Sequence, residues 1–168
     1  MNWDALGAIG ELVGAAAVVL TLGYLAVQIR QASKSSRQQS YNDLVTRRTN
    51  LLNKMVESDN VTAIVIAGMR GDAMKEGEAQ RFTSWSLNYV SHMQDVYLQW
   101  RAGLVEENVW LAERQFLAVL VELPGFAAWW QVATHYYLPE FISEVAKLEP
   151  IPVVDMDQET GKWVLGTW

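Results

Sequence analysis

Cysteine is absent from this 168-residue chain, which excludes disulfides, thiolate zinc sites, cysteine-ligated iron–sulfur clusters and cysteine nucleophiles. The absence fits a reducing compartment. Histidine occurs only twice, at His92 and His135. No Glu-x-x-His pair of the kind a carboxylate-bridged di-iron site needs is present. Neither G-x-x-x-x-G-K-[ST] nor G-x-S-x-G occurs, so Gly68, Gly71 and Gly77 do not form a phosphate loop and no nucleophile elbow is encoded. Lysine and arginine are missing before Arg30. From Leu12 to Ile29 charge of either sign is missing, over eighteen residues (LVGAAAVVLTLGYLAVQI).

That uncharged run is the most informative segment. As a helix rising about 1.5 Å per residue it spans roughly 27 Å, close to the hydrocarbon thickness of a bilayer. A secretory signal peptide needs a basic start, a shorter apolar run and a small-residue cleavage site, whereas this chain opens MNWDA and the run ends in Gln28-Ile29-Arg30. The competing reading is a buried helix of a soluble protein. Length, Trp3 and Tyr24 near the two ends, and the basic cluster on one side favour an anchor.

Charge is distributed unevenly around it. From Arg30 to Lys54 six basic residues face Asp43 alone, and from Met55 onward seven basic residues stand against sixteen acidic ones. Positive charge after the run and none before it predicts the N-terminus outside and the C-terminal part in the cytoplasm. The acidic main domain argues against nucleic-acid binding. Arg30, Lys34 and Arg37 recur at helical spacing, a basic face suited to anionic headgroups, each charge contributing about 1 kcal/mol near the surface. Membrane lipids are therefore an expected partner.

Gly7, Gly10, Gly14 and Ala17 share one helical face, with Gly10 and Gly14 in G-x-x-x-G spacing. Small residues let transmembrane helices approach closely, which predicts a homo-oligomer or a membrane-protein partner. Glu11 is the one ionisable side chain inside the apolar region. Its bland reading is a position at the outer interface; the sharper ones are a ring lining a pore and a hydrogen bond to a neighbouring helix.

Beyond the run no Pro or Gly interrupts the chain from Tyr24 to Val56, so the helix is expected to continue, with QASKSSRQQS as a solvated helix or stalk. Ser58-Asp59-Asn60 reads as a turn with a good N-cap before VTAIVIAGM, whose β-branched content would suit a strand but which, with no similar pairing partner nearby, is expected as a short helix closed by Arg70-Gly71-Asp72. Glu76 to Arg101 carries the clearest helical period: Phe82, Trp85, Tyr89, Met93, Val96 and Trp100 inward, widened by Leu87, Tyr97 and Leu98, with Gly103 as cap. A helix from Val105 to Leu123 follows, with Val109, Phe116, Leu117 and Leu120 inward. Pro124-Gly125 breaks it, a third helix runs from Phe126 to Tyr137, and Pro139 starts another turn or two through Leu148. PVVDMDQETGKWVLGTW reads as a β-hairpin around Glu159-Thr160-Gly161.

His92 precedes Asp95 by one turn, a spacing that could orient a general base or a ligand pair. On a core face between Tyr89 and Met93 a structural histidine is the commoner occupant, and the same reading applies to His135 amid its aromatic neighbours. Asp155, Asp157 and Glu159 lack the glycine and late glutamate of a calcium loop and read as a solvated hairpin edge. The aromatic cluster from Phe126 to Phe141 is read first as core, then as a subunit or membrane contact surface, and last as a small-molecule pocket.

The opening MNWDALGAIGELVGAAAVVLTLGYLAVQIRQ resembles an uncharacterised class of bacterial single-pass membrane proteins of about this length, with a GAIGE-x-VGA…YLA-x-QIRQ anchor and a Trp-rich helical domain. Phe82 through Trp100-x-x-Gly103 to Trp110, and Leu123-Pro124-Gly125 through Pro139-x-Phe141, share the resemblance, which stops near Leu148. It implies an anchor and a helical domain, and no activity. The expectation is thus an all-α chain: an anchor over 1–29, a basic juxtamembrane helix or stalk over 30–57, a cytoplasmic helical bundle over 58–149 and a hairpin tail over 150–168. The expected role is a scaffold or accessory protein of the bacterial inner membrane, not an enzyme and without cofactor or metal. An ion channel or transport assembly with Glu11 facing the pore is the alternative.

Overall fold

The computed structural model describes residues 3–149 together with the backbone segments 153–156 and 163–166. Regular structure over residues 3–149 is entirely helical. It comprises α1 (Trp3–Val56), α2 (Asp59–Arg70), α3 (Glu76–Arg101), α4 (Glu107–Leu120), α5 (Pro124–Ala133), a short 3₁₀ turn (Thr134–Tyr136) and α6 (Pro139–Val145). The chain divides into two compact units, Met1–Gln39 and Ser40–Trp168.

The first unit is α1 alone up to Gln39. One helix among the described residues, α1, is long and apolar enough to cross a membrane, and its apolar stretch is unburied. The stretch QASKSSRQQS, expected as a helix or a stalk, is helical.

The second unit owns a hydrophobic core centred on α3. Phe82, Tyr89, Val90, Met93, Val96 and Tyr97 are buried along one side of that helix, as the three-and-four spacing requires. Trp110, Leu117 and Leu120 of α4, Phe126 of α5 and Phe141 of α6 close on it without solvent exposure. The aromatic rings pack in sequence: Tyr97 edge-on to Trp110, Trp110 stacked on Trp100, Tyr97 tilted against Phe141. The Phe126–Phe141 aromatic cluster is therefore largely core, with Trp129 and Trp130 half-buried against it and Tyr136 exposed.

Helix ends follow the local chemistry. The Ser58 hydroxyl accepts from the Val61 amide, and Gly71 ends α2 in the left-handed region at φ 81°, where its amide bonds back to the carbonyls of Ala67 and Gly68. Gly103 takes φ 69° just after α3. Pro124 and Pro139 each occupy a first-turn position, where the missing N–H costs nothing. Pro124 thus begins α5 as well as ending what precedes it, and the chain turns by 107° between Glu107–Leu120 and Pro124–Tyr136. The helix expected from Val105 to Leu123 is shorter at both ends, because Val105 lies in the loop before it and Leu123 caps α5.

Helix α2 meets α5 through glycine. A Cβ on Gly68 would enter the ring of Phe82, and a Cβ on Gly125 would strike the Gly68 carbonyl oxygen and stand 2.5 Å from the Gly71 nitrogen. Backbone lies directly on backbone at this crossing, so the role of Gly68 and Gly71 is close approach.

Three expected positions are corrected. Leu98 does not widen the buried face of α3 and is 42 % exposed; Phe116 is not inward but 44 % exposed; His135 is no core histidine but lies exposed, its ring tilted against that of Tyr136 with 4.1 Å between centres. Each sits where its own helix provides the right spacing but no neighbouring element covers it. The hairpin expected from Pro152, with Asp157, Glu159 and its turn, lies mostly outside the described residues. Within it the backbone of Val153–Met156 pairs antiparallel with Trp163–Gly166, Val153 opposite Gly166 and Met156 opposite Trp163.

Candidate functional site

Two regions hold the residues singled out from the sequence. The first is the α1 surface up to Gln39. Gly7, Gly10 and Gly14 are exposed, and a Cβ at any of them would meet nothing within 4 Å. Glu11, Ala17, Arg30, Lys34 and Arg37 are exposed as well, and none of the ion pairs among the described residues involves them. The helix runs through all of these positions, so the glycines and Ala17 share the face that their spacing implied, with Glu11 beside it. The Thr21 hydroxyl donates to the Ala17 carbonyl at 2.8 Å, and the Gln28 amide donates to the Tyr24 hydroxyl at 2.6 Å.

The second region lies inside the second unit, where the last turns of α1 rest on α3 and α4. Leu44 is the one buried anchor of this segment. Arg47 pairs with Asp95 on α3 at 2.9 Å, and Arg48 with Glu113 on α4 at 2.8 Å. Two cavities flank the contact. One, of about 270 Å³, is basic and mixed in polarity, lined by Arg47, Asn50, Leu51, Lys54, Asn88, Ser91 and His92. The other, of about 260 Å³, is mostly apolar, with Leu52, Met55, Trp85, Tyr89 and Phe116 in its walls. Trp85 and Tyr89 stack with 5.6 Å between ring centres, and Phe116 meets Tyr89 edge-on, so one wall is continuous aromatic surface.

His92 lines both cavities. It is only 6 % exposed, and neither ring nitrogen has a hydrogen-bond partner. The proposed pairing with Asp95 is not made, because the Asp95 carboxylate is engaged by Arg47. Among the described residues no group of three or more His, Asp or Glu side chains is placed to hold a metal ion. Burial lowers the His92 pKa below its ordinary 6.5; Glu113 and Asp95 oppose that shift, while Arg47 and Arg48 reinforce it.

An imidazole that protonates more readily unfolded than folded contributes full stability above pH 6.5 and loses it as pH falls from there through the folded value. Thermal unfolding between pH 7.5 and 5 is expected to show a steeper drop in wild type than in His92→Leu. Parallel curves would show that His92 is not buried neutral.

No family profile, curated protein or solved structure matches the chain.

Sequence reasoning missed the second region. Its residues come from α1, α3 and α4, and the partners in each ion pair are 48 and 65 positions apart. The only advance signal was a lone histidine on an otherwise apolar face.

Proposed function

We propose that the chain is a single-pass protein of the bacterial inner membrane, N-terminus outside and helical domain in the cytoplasm, that self-associates and serves as a non-catalytic scaffold or accessory subunit. The observation that carries this reading is the exposed seam along α1. It begins Gly7, Gly10, Gly14, Ala17 and continues Thr21, Tyr24, Gln28, Gln31, Ser35, Gln38, steps of three and four alternating throughout. Every position is small or uncharged and polar.

A strict seven-residue repeat keeps one seam in contact when identical helices wind around each other with a left-handed supercoil. In lipid the small residues permit close backbone approach, and beyond it Gln and Ser side chains can hydrogen-bond across the seam. Arg30, Lys34 and Arg37 lie off the seam, free to meet anionic headgroups. Parallel copies in register satisfy all of these requirements at once. The second unit, with its own core, is then displayed in several copies on one side of the membrane, an arrangement suited to gathering a membrane-protein partner.

Glu11 adjoins the seam, so the same assembly brings its carboxylates near one another. That placement favours, as a second reading, an ion-conducting or transport assembly.

The full-length chain is expected to resist alkaline extraction from membranes and to run as an oligomer in mild detergent, with Gly10→Ile and Gly14→Ile shifting its mass to that of a monomer. An unchanged mass contradicts the seam, and release by alkali contradicts the anchor. The same preparations in planar bilayers decide between the two readings: current that Glu11→Gln abolishes marks the conducting assembly, and silence in both proteins leaves the scaffold.

A further inference from the structure

We infer that the apolar cavity between α1, α3 and α4 is a binding site for a small, mostly apolar molecule carrying one hydrogen-bonding group, such as a phenol or a short alcohol, with His92 as its polar anchor. The inference is independent of the membrane reading, because every wall belongs to the second unit.

Three observations converge on it. The cavity, at about 260 Å³, exceeds the ~150 Å³ that accommodates benzene and approaches the roughly 300 Å³ at which ligand pockets begin. A single substituted ring or a short chain therefore fits, and a nucleotide does not. The walls suit such a body: the stacked Trp85–Tyr89 pair and Phe116 give an aromatic face, and Leu52 and Met55 an aliphatic one. Met adapts its shape to an occupant at little cost.

The third observation is His92. Buried polar groups in folded proteins are almost always hydrogen-bonded, yet both nitrogens of this ring are buried and unpartnered. A neutral imidazole offers one donor and one acceptor. A hydroxyl is the smallest group that can answer either, and it does so once the ring turns, because both nitrogens lie beneath the cavity surface in this structure. The two charged residues that line this cavity, Arg48 and Glu113, are already paired with each other, so a charged headgroup would have to break that pair. An uncharged hydroxyl leaves it intact. Turned in this way, the ring completes the arrangement of a ligand pocket: an apolar body site and one convergent polar group.

The chain has only two histidines, one buried and one exposed, and this supplies its own control. Full-length protein labelled with ¹⁵N at histidine and held in nanodiscs is titrated with p-cresol and, separately, with toluene. The His92 ring nitrogens are expected to shift saturably with p-cresol while His135 does not. Apparent affinity should exceed that for toluene by about tenfold, a gap that direct titration of the His92→Leu protein closes when followed through the Trp85 indole signal. Ala112 is exposed at the cavity wall, so Ala112→Phe should fill the space without disturbing the core and abolish the saturable shift. Shifts that grow linearly and alike at both histidines, or a titration unchanged in Ala112→Phe, overturn the site. Equal affinity for p-cresol and toluene in wild type overturns the role of His92.

Discussion

Gly125→Ala is expected to destabilise the second unit by roughly 3 kcal/mol or more, the upper range for overpacking a filled site. The added methyl has nowhere to go. It meets the Gly68 carbonyl oxygen and the backbone nitrogen and Cα of Gly71, the latter pair at 2.5 and 2.8 Å, and main chain cannot rotate aside as a side chain would. Relief requires α5 to lift from α2, which opens the core beneath Phe126. The matched control is Gly77→Ala. Gly77 is also helical, its Cβ position is open, and alanine there should be neutral or stabilising by up to about 1 kcal/mol. Thermal unfolding followed by tryptophan fluorescence separates the two. If Gly125→Ala melts with wild type, α2 and α5 do not cross this closely.

Trp110→Ala should cost about 3–5 kcal/mol, because the indole is fully buried at the centre of the aromatic core. It stacks on Trp100 with 5.8 Å between ring centres and takes Tyr97 against its edge. Alanine would leave a cavity that three helices must collapse to fill. Trp110→Phe should cost far less, about 1–2 kcal/mol. The reason is specific: the indole N–H is buried without a partner, so phenylalanine discards an unsatisfied donor along with part of the ring. Chemical denaturation of the three proteins tests the ordering. A phenylalanine variant as unstable as the alanine one would mean that the N–H is bonded after all.

Periodicity made α3 legible almost to the residue, since Glu76–Arg101 is long and its apolar positions repeat without interruption. Ser58, Gly71, Gly103, Pro124 and Pro139 marked helix ends because capping is local chemistry. Burial at the edges of the core is a different matter. Phe116, Leu98 and His135 have plausible inward spacing, and only the placement of other helices decides whether something covers them. The His92 cavity was hidden for the same reason, its walls being drawn from three helices. The seam along α1 was half visible. Glycine and alanine announce packing in an apolar run, whereas Gln31, Ser35 and Gln38 look like a solvated surface until their spacing is followed back to Gly7.

The glycine crossing has a consequence for the order of folding. Gly68 and Gly125 stand on opposite sides of the whole of α3 and α4 in the chain, so their contact closes a long loop that takes in both helices. Loop-closure entropy delays such non-local contacts until the local ones are in place. The α2–α3 and α3–α4 pairs can therefore assemble first, with α5 docking on α2 afterwards. Interactions made late are absent from the folding transition state, and losing them accelerates unfolding more than it slows folding. Helix α5 is thus a late-closing latch of this domain, held at a pair of residues with no side chains.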